Sequence, residues 1–139
     1  MAKLQLAIVT AEGESFSGEV DKVVAPGGLG EFTVLPSHAR MISTLSAGIL
    51  RFDQGGDSVS LAMSGGFLEV SDNRVTVLAD AAEQDDAIDL ERAEAALERA
   101  EKLIASSTAD VDLEKATASL QRARVRVKLG RRRRERGLG

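Results

Sequence analysis

The chain has 139 residues, 43% of them hydrophobic but only 3% aromatic, and a net charge of −4. That length holds one ordinary domain, or a smaller domain with a helical appendage, around an aliphatic core. The absence of cysteine excludes disulfides and thiolate metal sites and suits a reducing compartment.

From the first residues to about Asp80 the sequence alternates apolar and polar positions in short runs. "LQLAIVT", "GEVDKVVAP", "EFTVLP", "GILRF", "SVSLAMS", "GFLEVS" and "RVTVLAD" each read as a strand. Turn residues separate them at "PGGLG", "DQGGD", "SGG" and "SDN", of which "DQGGD" and "SDN" have the composition of hairpin turns. Many short strands at close spacing predict a β-sandwich or barrel that folds by itself on inward Val, Leu and Ile. "PGGLGEF" lacks the Gly-Lys-Ser/Thr ending of a phosphate-cradling loop, so a tight turn is expected there.

From Ile88 the period becomes helical. Leu90, Ala93, Leu97, Ala100 and Ile104 form one stripe, and Leu113, Ala116, Leu120, Ala123 and Val127 form a second. The polar break "SSTAD" divides them, with Asp110 or Asp112 placed to cap the second helix. The residue numbers of 93/123, 97/120, 100/116 and 104/113 add to 216 or 217, so the stripes mirror each other about Thr108. This predicts an antiparallel helical hairpin with an alanine-rich seam. Alanine lets helices approach closely but buries little area, at roughly 25 cal/mol per Å². Such a hairpin is stable only marginally, or when docked.

The predicted fold class is therefore α+β, mainly β, with a β-sandwich or barrel followed by a two-helix hairpin. The expected domains are residues 1–84, residues 88–130 and a basic, disordered tail at 131–139. Charge is polarised along the same axis: residues from Arg122 onward carry +8 and those before it −12. No window has the ~20 apolar residues of a membrane span, and "MAKLQLAIVTAEGE" has too short an apolar run for a secretory signal. A soluble protein without an export address is expected.

Candidate chemistry is sparse. His38, in "LPSHA", is the only histidine, and with no cysteine and no partner motif it supplies no catalytic triad. No nucleophile, base and metal constellation is visible, so no metal site, no required cofactor and no enzymatic activity are expected. The terminal "RRRRERG" has no aromatic residues around it, since all four Phe lie in the β half; a solvated tail is expected, not base stacking on nucleic acid.

"IDLERA", residues 88–93, reads first as a capped helix start with an Asp89–Arg92 pair worth a few tenths of a kcal/mol. Arg92 and Arg99 are seven apart on the first helix, and Arg122 and Arg126 are four apart on the second. The mirror relation sets position 92 opposite about 124. Four guanidiniums can thus gather in a folded hairpin. Interspersed Glu91, Glu94, Glu98 and Glu101 can neutralise them, or the forks can hold phosphate oxygens.

Taken in order, "FSGEVDKV", "GEFTVLPSHARMISTLSAGILRF", "SGGFLEV", "VTVLAD", "IDLERA" and "SSTADVD" resemble the ε subunit of bacterial F-type ATP synthase over nearly the whole chain. The family usually has glycine at the position of Ser37 and proline at those of Arg40 and Ala47. The resemblance implies a sandwich that grips the γ subunit and rests on the c-ring, and a hairpin that brakes ATP hydrolysis. It sets Glu31 and His38 at rotor contacts. "IDLERA" also fills the (Ile/Leu)-Asp-x-x-Arg-Ala motif of ATP-binding ε subunits. By that likeness Glu83, Ile88, Asp89 and Ala93 frame the adenosine, while Arg92, Arg99, Arg122 and Arg126 hold phosphates. ATP is then a regulatory ligand of a non-catalytic stalk subunit of a proton-translocating complex. The partners implied are γ, the c-ring and the αβ catalytic hexamer in the extended state. The place implied is the cytoplasmic face of a bacterial membrane, peripherally bound. The rival expectation is a free-standing nucleotide-binding sensor module.

Overall fold

A computed structural model describes residues 2–106 and 110–135. Its first part consists of β1 (Leu4–Thr10), β2 (Gly13–Val20), β3 (Lys22–Gly27), β4 (Gly30–Val34), β5 (Met41–Leu45), β6 (Gly48–Gln54), β7 (Asp57–Met63), β8 (Gly66–Ser71), β9 (Arg74–Ala79) and β10 (Ala82–Gln84). One leaf runs β10-β7-β6-β3, with β4 paired to β3, and the other runs β5-β8-β9-β1-β2. A single pairing, Gly27 with Leu45, joins the two leaves. All strand pairs are antiparallel except β1 with β9, which is parallel. The expected sandwich is present.

Alternation explains the core. Leu4, Leu6 and Ile8 of β1, Leu68 and Val70 of β8, and Val75 and Val77 of β9 face inward against Leu50, Phe52, Leu61 and Met63 of the other leaf. Phe16 of β2 crosses the sandwich to Phe52, with ring centroids 4.4 Å apart. This tilted pair is the main aromatic contribution to an otherwise aliphatic interior.

Three strand features departed from the sequence reading. "GEVDKVVAP" is broken at Asp21 into β2 and β3, and β2 begins at Gly13. Asp21 is the corner: it bonds Lys3, and its Oδ2 accepts the Gly55 N–H at 3.0 Å. The Lys3 bond, with the Gly55 N–H behind it, holds its carboxyl below the usual carboxylate range. The segment "MISTL" forms β5, which the pattern did not mark, and the short β10 pairs with the edge of β7. The two predicted hairpin turns are present. Gly55 and Gly56 join β6 to β7, and Asp72 and Asn73 join β8 to β9, all with positive φ as a tight hairpin requires.

Ser37 also has positive φ, at 66°, in the β4–β5 connection, where its N–H donates to Asn73 Oδ1 at 2.8 Å. This is the position at which the resemblance expects glycine. Ser37→Gly keeps that backbone bond and removes the Cβ strain, partly offset by a freer unfolded chain. It should raise stability by roughly 0.5–1 kcal/mol, read as a higher urea midpoint at unchanged slope.

A 3-10 turn at Asp85–Ala87 leads into α1 (Leu90–Ser106), and α2 (Asp110–Glu135) returns antiparallel to it. Ala93, Ala100, Ala116 and Ala123 are buried, which is the alanine seam. At its base Gly130 meets Ile88 and Leu90; a Cβ there would lie 3.1 Å from Leu90 Cδ1. The seam loosens towards the turn, where Leu113 stands exposed and Ile104 only half-buried, because two helices alone cover a narrow stripe. The predicted turn centre, Thr108, lies outside the described residues, as do the side chains of the proposed caps Asp110 and Asp112. Helix α2 runs to Glu135, so residues 131–135 are helix where a disordered tail was expected; residues 136–139 lie outside the described residues. The reason is visible at Arg131 and Arg133, which pair with Glu94 and Asp85 and tie the last turns to α1 and the connector.

The hairpin is docked. Helix α2 packs on the outer face of β6 and β7 and on the 3-10 turn. Ala62, whose strand neighbours Leu61 and Met63 point into the sandwich, is consequently buried from the other side.

Candidate functional site

The connector between sandwich and hairpin places the first residue of the site. Glu83 lies in β10 opposite Ala62 of β7, so the sheet edge fixes its position. After the 3-10 turn the backbone is extended at Ile88, and Asp89 then caps α1. Asp89 Oδ1 accepts the Arg92 N–H at 3.1 Å, and its carbonyl accepts the Ala93 N–H at 2.9 Å. This is the helix start read from "IDLERA", with an acidic side chain meeting the positive end of the helix.

Capping at Asp89 sets the rotation of α1. Arg92, Ala96 and Arg99 follow at intervals of four and three, so they share one face. Across from them α2 brings Ala123 and Arg126. The result is a cavity of about 440 Å³ lined by Glu83, Ile88, Asp89, Arg92, Ala93, Arg99 and Arg126, with Ala87, Ala96 and Ala123 completing it. Seven of the eight residues expected around one ligand thus line one cavity. Arg122 does not: its Nη2 donates to Ser119 Oγ, one turn back, at 3.1 Å. Ala87, Ala96 and Ala123 were missed as site residues: Ala123 read as seam, and Ala87 and Ala96 carry no polar group to mark them. They bear on the site by being small, leaving room between helices that larger side chains would fill.

The electrostatics of the cavity are divided. Arg126 Nε donates to Glu83 Oε1 at 3.1 Å, an ion pair joining α2 to the sheet edge with both side chains partly exposed. Arg92 and Arg99 are exposed and, among the described residues, have no carboxylate within ion-pair distance. One wall therefore offers two uncommitted guanidiniums, and the rest offers Ile88 and four alanines beside two carboxylates. Such a surface suits a ligand with a multiply charged oxyanion at one end and a flat, weakly polar body at the other. The cavity draws on β10, the connector, α1 and α2 together, so it exists only while the hairpin is closed and docked.

The two residues expected at rotor contacts are separate from this cavity and from each other. Glu31 is exposed at the start of β4, beside the fully exposed Leu29 of the β3–β4 turn. His38 follows the far end of β4. Its Nδ1 lies 2.7 Å from the Ala39 carbonyl, an arrangement that places the proton on Nδ1.

Comparison with known proteins gives this geometry its context. Residues 3–85 match the family model for the ATP synthase delta/epsilon chain, beta-sandwich domain. Residues 86–129 match that for the ATP synthase delta/epsilon chain, long alpha-helix domain. An ATP synthase epsilon chain of Dehalococcoides mccartyi (strain BAV1) is 51% identical over 136 residues, covering 97% of each chain. That of Desulforamulus reducens is 51% identical over 112 residues, 80% of this chain and 85% of its own. A chain in the Euglena gracilis mitochondrial ATP synthase superposes with a TM-score of 0.78 at 25% identity, covering 87% of this chain and 77% of that one. With both halves matched in order and a relative aligned almost end to end, this chain belongs to the epsilon-chain family of ATP synthases.

Proposed function

We propose that this chain couples the rotor of a proton-translocating ATP synthase to its membrane ring through the sandwich, and restrains ATP hydrolysis through a hairpin that ATP holds closed. Family membership makes it a non-catalytic subunit of the F1 central stalk. The regulatory part of the reading goes further, and one observation carries it: the shared cavity of Glu83, Ile88, Asp89, Arg92, Ala93, Arg99 and Arg126. In this reading Arg92 and Arg99 take phosphate oxygens, Arg126 joins them by exchanging part of its bond to Glu83, and Ile88 and the alanines lie against the adenine.

ATP can shift the hairpin only by its differential affinity for the closed and open states. Each tenfold preference is worth ~1.4 kcal/mol, so an alanine seam of small burial is a fitting partner for such a ligand. When ATP falls, the hairpin opens along the stalk, and the basic face of α2 meets acidic surface of the catalytic hexamer. Unlike charges there would steer docking and register.

The sandwich carries the coupling. Ile42, Phe67 and Leu78 are large, apolar and exposed on adjacent strands β5, β8 and β9, with Phe67 paired between Thr44 and Leu78. A row of this kind supports a protein partner on that face, and γ is the partner we assign to it. Leu29 and Glu31 at the turn end are assigned to the c-ring. No described helix is long and apolar enough to cross a membrane, so attachment to the cytoplasmic face would come through the assembly.

The test is calorimetric titration of ATP into the full-length chain and its Arg99→Ala and Arg126→Ala variants. Loss of a charge-assisted bond should weaken binding about 10- to 100-fold in each, whereas Arg122→Ala should change it least. Unaltered affinity in both of the first two variants would remove the arginine clamp.

A further inference from the structure

Helix α2 has a second working face. Val125, Lys128 and Arg132, stepping by three and four, line a cavity of about 590 Å³ that is distinct from the one holding Arg126. Its opposite wall is the sandwich, where Pro26, Gly27 and Gly48 lie beside Arg51 of β6. That wall is backbone-smooth by necessity. A Cβ on Gly27 would lie 2.6 Å from the Gly30 carbonyl oxygen, and one on Gly48 would lie 2.6 Å from Pro26 Cβ. Neighbouring main-chain groups are already engaged: the Ser46 N–H donates to the Pro26 carbonyl at 2.9 Å and the Gly28 N–H to the Thr44 carbonyl at 3.0 Å. The cleft's polar capacity therefore resides in its side chains.

The Ser46 hydroxyl is turned to the Pro26 and Gly27 carbonyls, and the charged side chains are three cations and the single carboxylate of Glu31. Along α2, Arg126, Arg131 and Arg133 each have a carboxylate partner. Arg51, Lys128 and Arg132 have none within ion-pair distance among the described residues. One of the three belongs to the sandwich and two to the hairpin, so their mutual repulsion acts directly against docking. A multiply charged anion placed between them reverses the sign of that contribution. Guanidinium forks match phosphate oxygens, and a ligand that binds only the docked state stabilises it by mass action.

We propose that this cleft is a second anion site, taking a phosphate group between Arg51 of the sandwich and Lys128 and Arg132 of α2, and that its occupant holds the hairpin docked. The site is separate from the nucleotide cavity and does not depend on it. The phosphate can come from a small soluble phosphate compound or from a lipid headgroup.

The experiment uses the full-length chain labelled with nitrogen-15. One arm titrates pyrophosphate at ionic strength held constant with chloride, and the other adds phosphatidylglycerol vesicles, with phosphatidylcholine vesicles as reference. We expect saturable amide shifts at Gly27, Gly48 and Lys128. The midpoint should rise about tenfold in Arg51→Gln and in Arg132→Gln, both exposed positions, and stay unchanged in Arg74→Gln, an exposed position on β9 outside both cavities. Hydrogen-exchange protection of α2 should increase with ligand in the parent chain and not in Arg51→Gln. A response to pyrophosphate assigns the phosphate to a soluble compound; a response to phosphatidylglycerol alone assigns it to lipid. Shifts confined to the surroundings of Arg92 and Arg99, equal midpoints in the parent chain and both glutamine variants, or no response in either arm would overturn the proposal.

Discussion

Replacing Phe52 by alanine should cost the chain about 3–5 kcal/mol, the largest single-residue loss expected here. Phe52 is 1% exposed, lies in β6 between Val23 of β3 and Val59 of β7, and stacks on Phe16 of β2. It therefore bridges both leaves of the sandwich. Apart from Phe16 the surrounding side chains are aliphatic, and in their preferred rotamers they relax only partly into a void. A loss of this size is a large share of a typical stability of 5–15 kcal/mol. Urea unfolding followed by circular dichroism measures it. Phe52→Leu, which retains most of the volume, should lose much less. A Phe52→Ala chain within about 1 kcal/mol of the parent would show that the leaves are held together elsewhere.

A chain ending at Ala87 should keep the sandwich and lose the brake altogether. The reason lies in the composition of the core: its buried residues run from Leu4 to Ala79, the partly buried residues packed against it reach no further than Ala82, and no helical residue belongs to it. Removing α1 and α2 uncovers the outer face of β6 and β7, including Ala62, but leaves every inward side chain with its neighbours. The shortened chain should unfold cooperatively and still bind a stalk lacking its epsilon chain. Added to such an ATPase complex at low ATP, the full-length chain should slow hydrolysis and the shortened one should not. Equal hydrolysis rates with the two would place any restraint in the sandwich and defeat the hairpin mechanism.

The sequence marked most of the sandwich because inward and outward positions alternate cleanly in strands such as "LQLAIVT" and "RVTVLAD". It passed over β5 because "MISTL" sets the apolar Ile42 on the exposed face, so its pattern lacks a clean polar side. It ran β2 into β3 because Asp21 looks like another polar position of a strand. Its role as a corner appears only with Lys3 and Gly55 brought beside it. The site was legible to a similar degree. Spacing alone put Arg92 and Arg99 on one face, and the mirror relation brought α2 opposite them. Arg122 was assigned to the site by likeness and by a four-residue step from Arg126. In the structure its guanidinium bonds Ser119 one turn back on the same helix, and it does not line the cavity.

What the sequence determined by itself was local and periodic: the switch from period two to period 3.6 near Ile88, the cap at Asp89, the hairpin turns at Gly55 and Asn73, and the alanine stripe. Each depends on residues close together in the chain, where backbone geometry converts residue type directly into conformation. The tertiary structure alone decided where the hairpin docks, that Glu83 is held at a sheet edge to meet Arg126, that α2 stays helical through Glu135, and that Arg51 faces Lys128 and Arg132 across a cleft. Those outcomes join residues tens of positions apart. They turn on small differences between burying α2 against β6 and β7 and leaving it in water, a balance that no local pattern records.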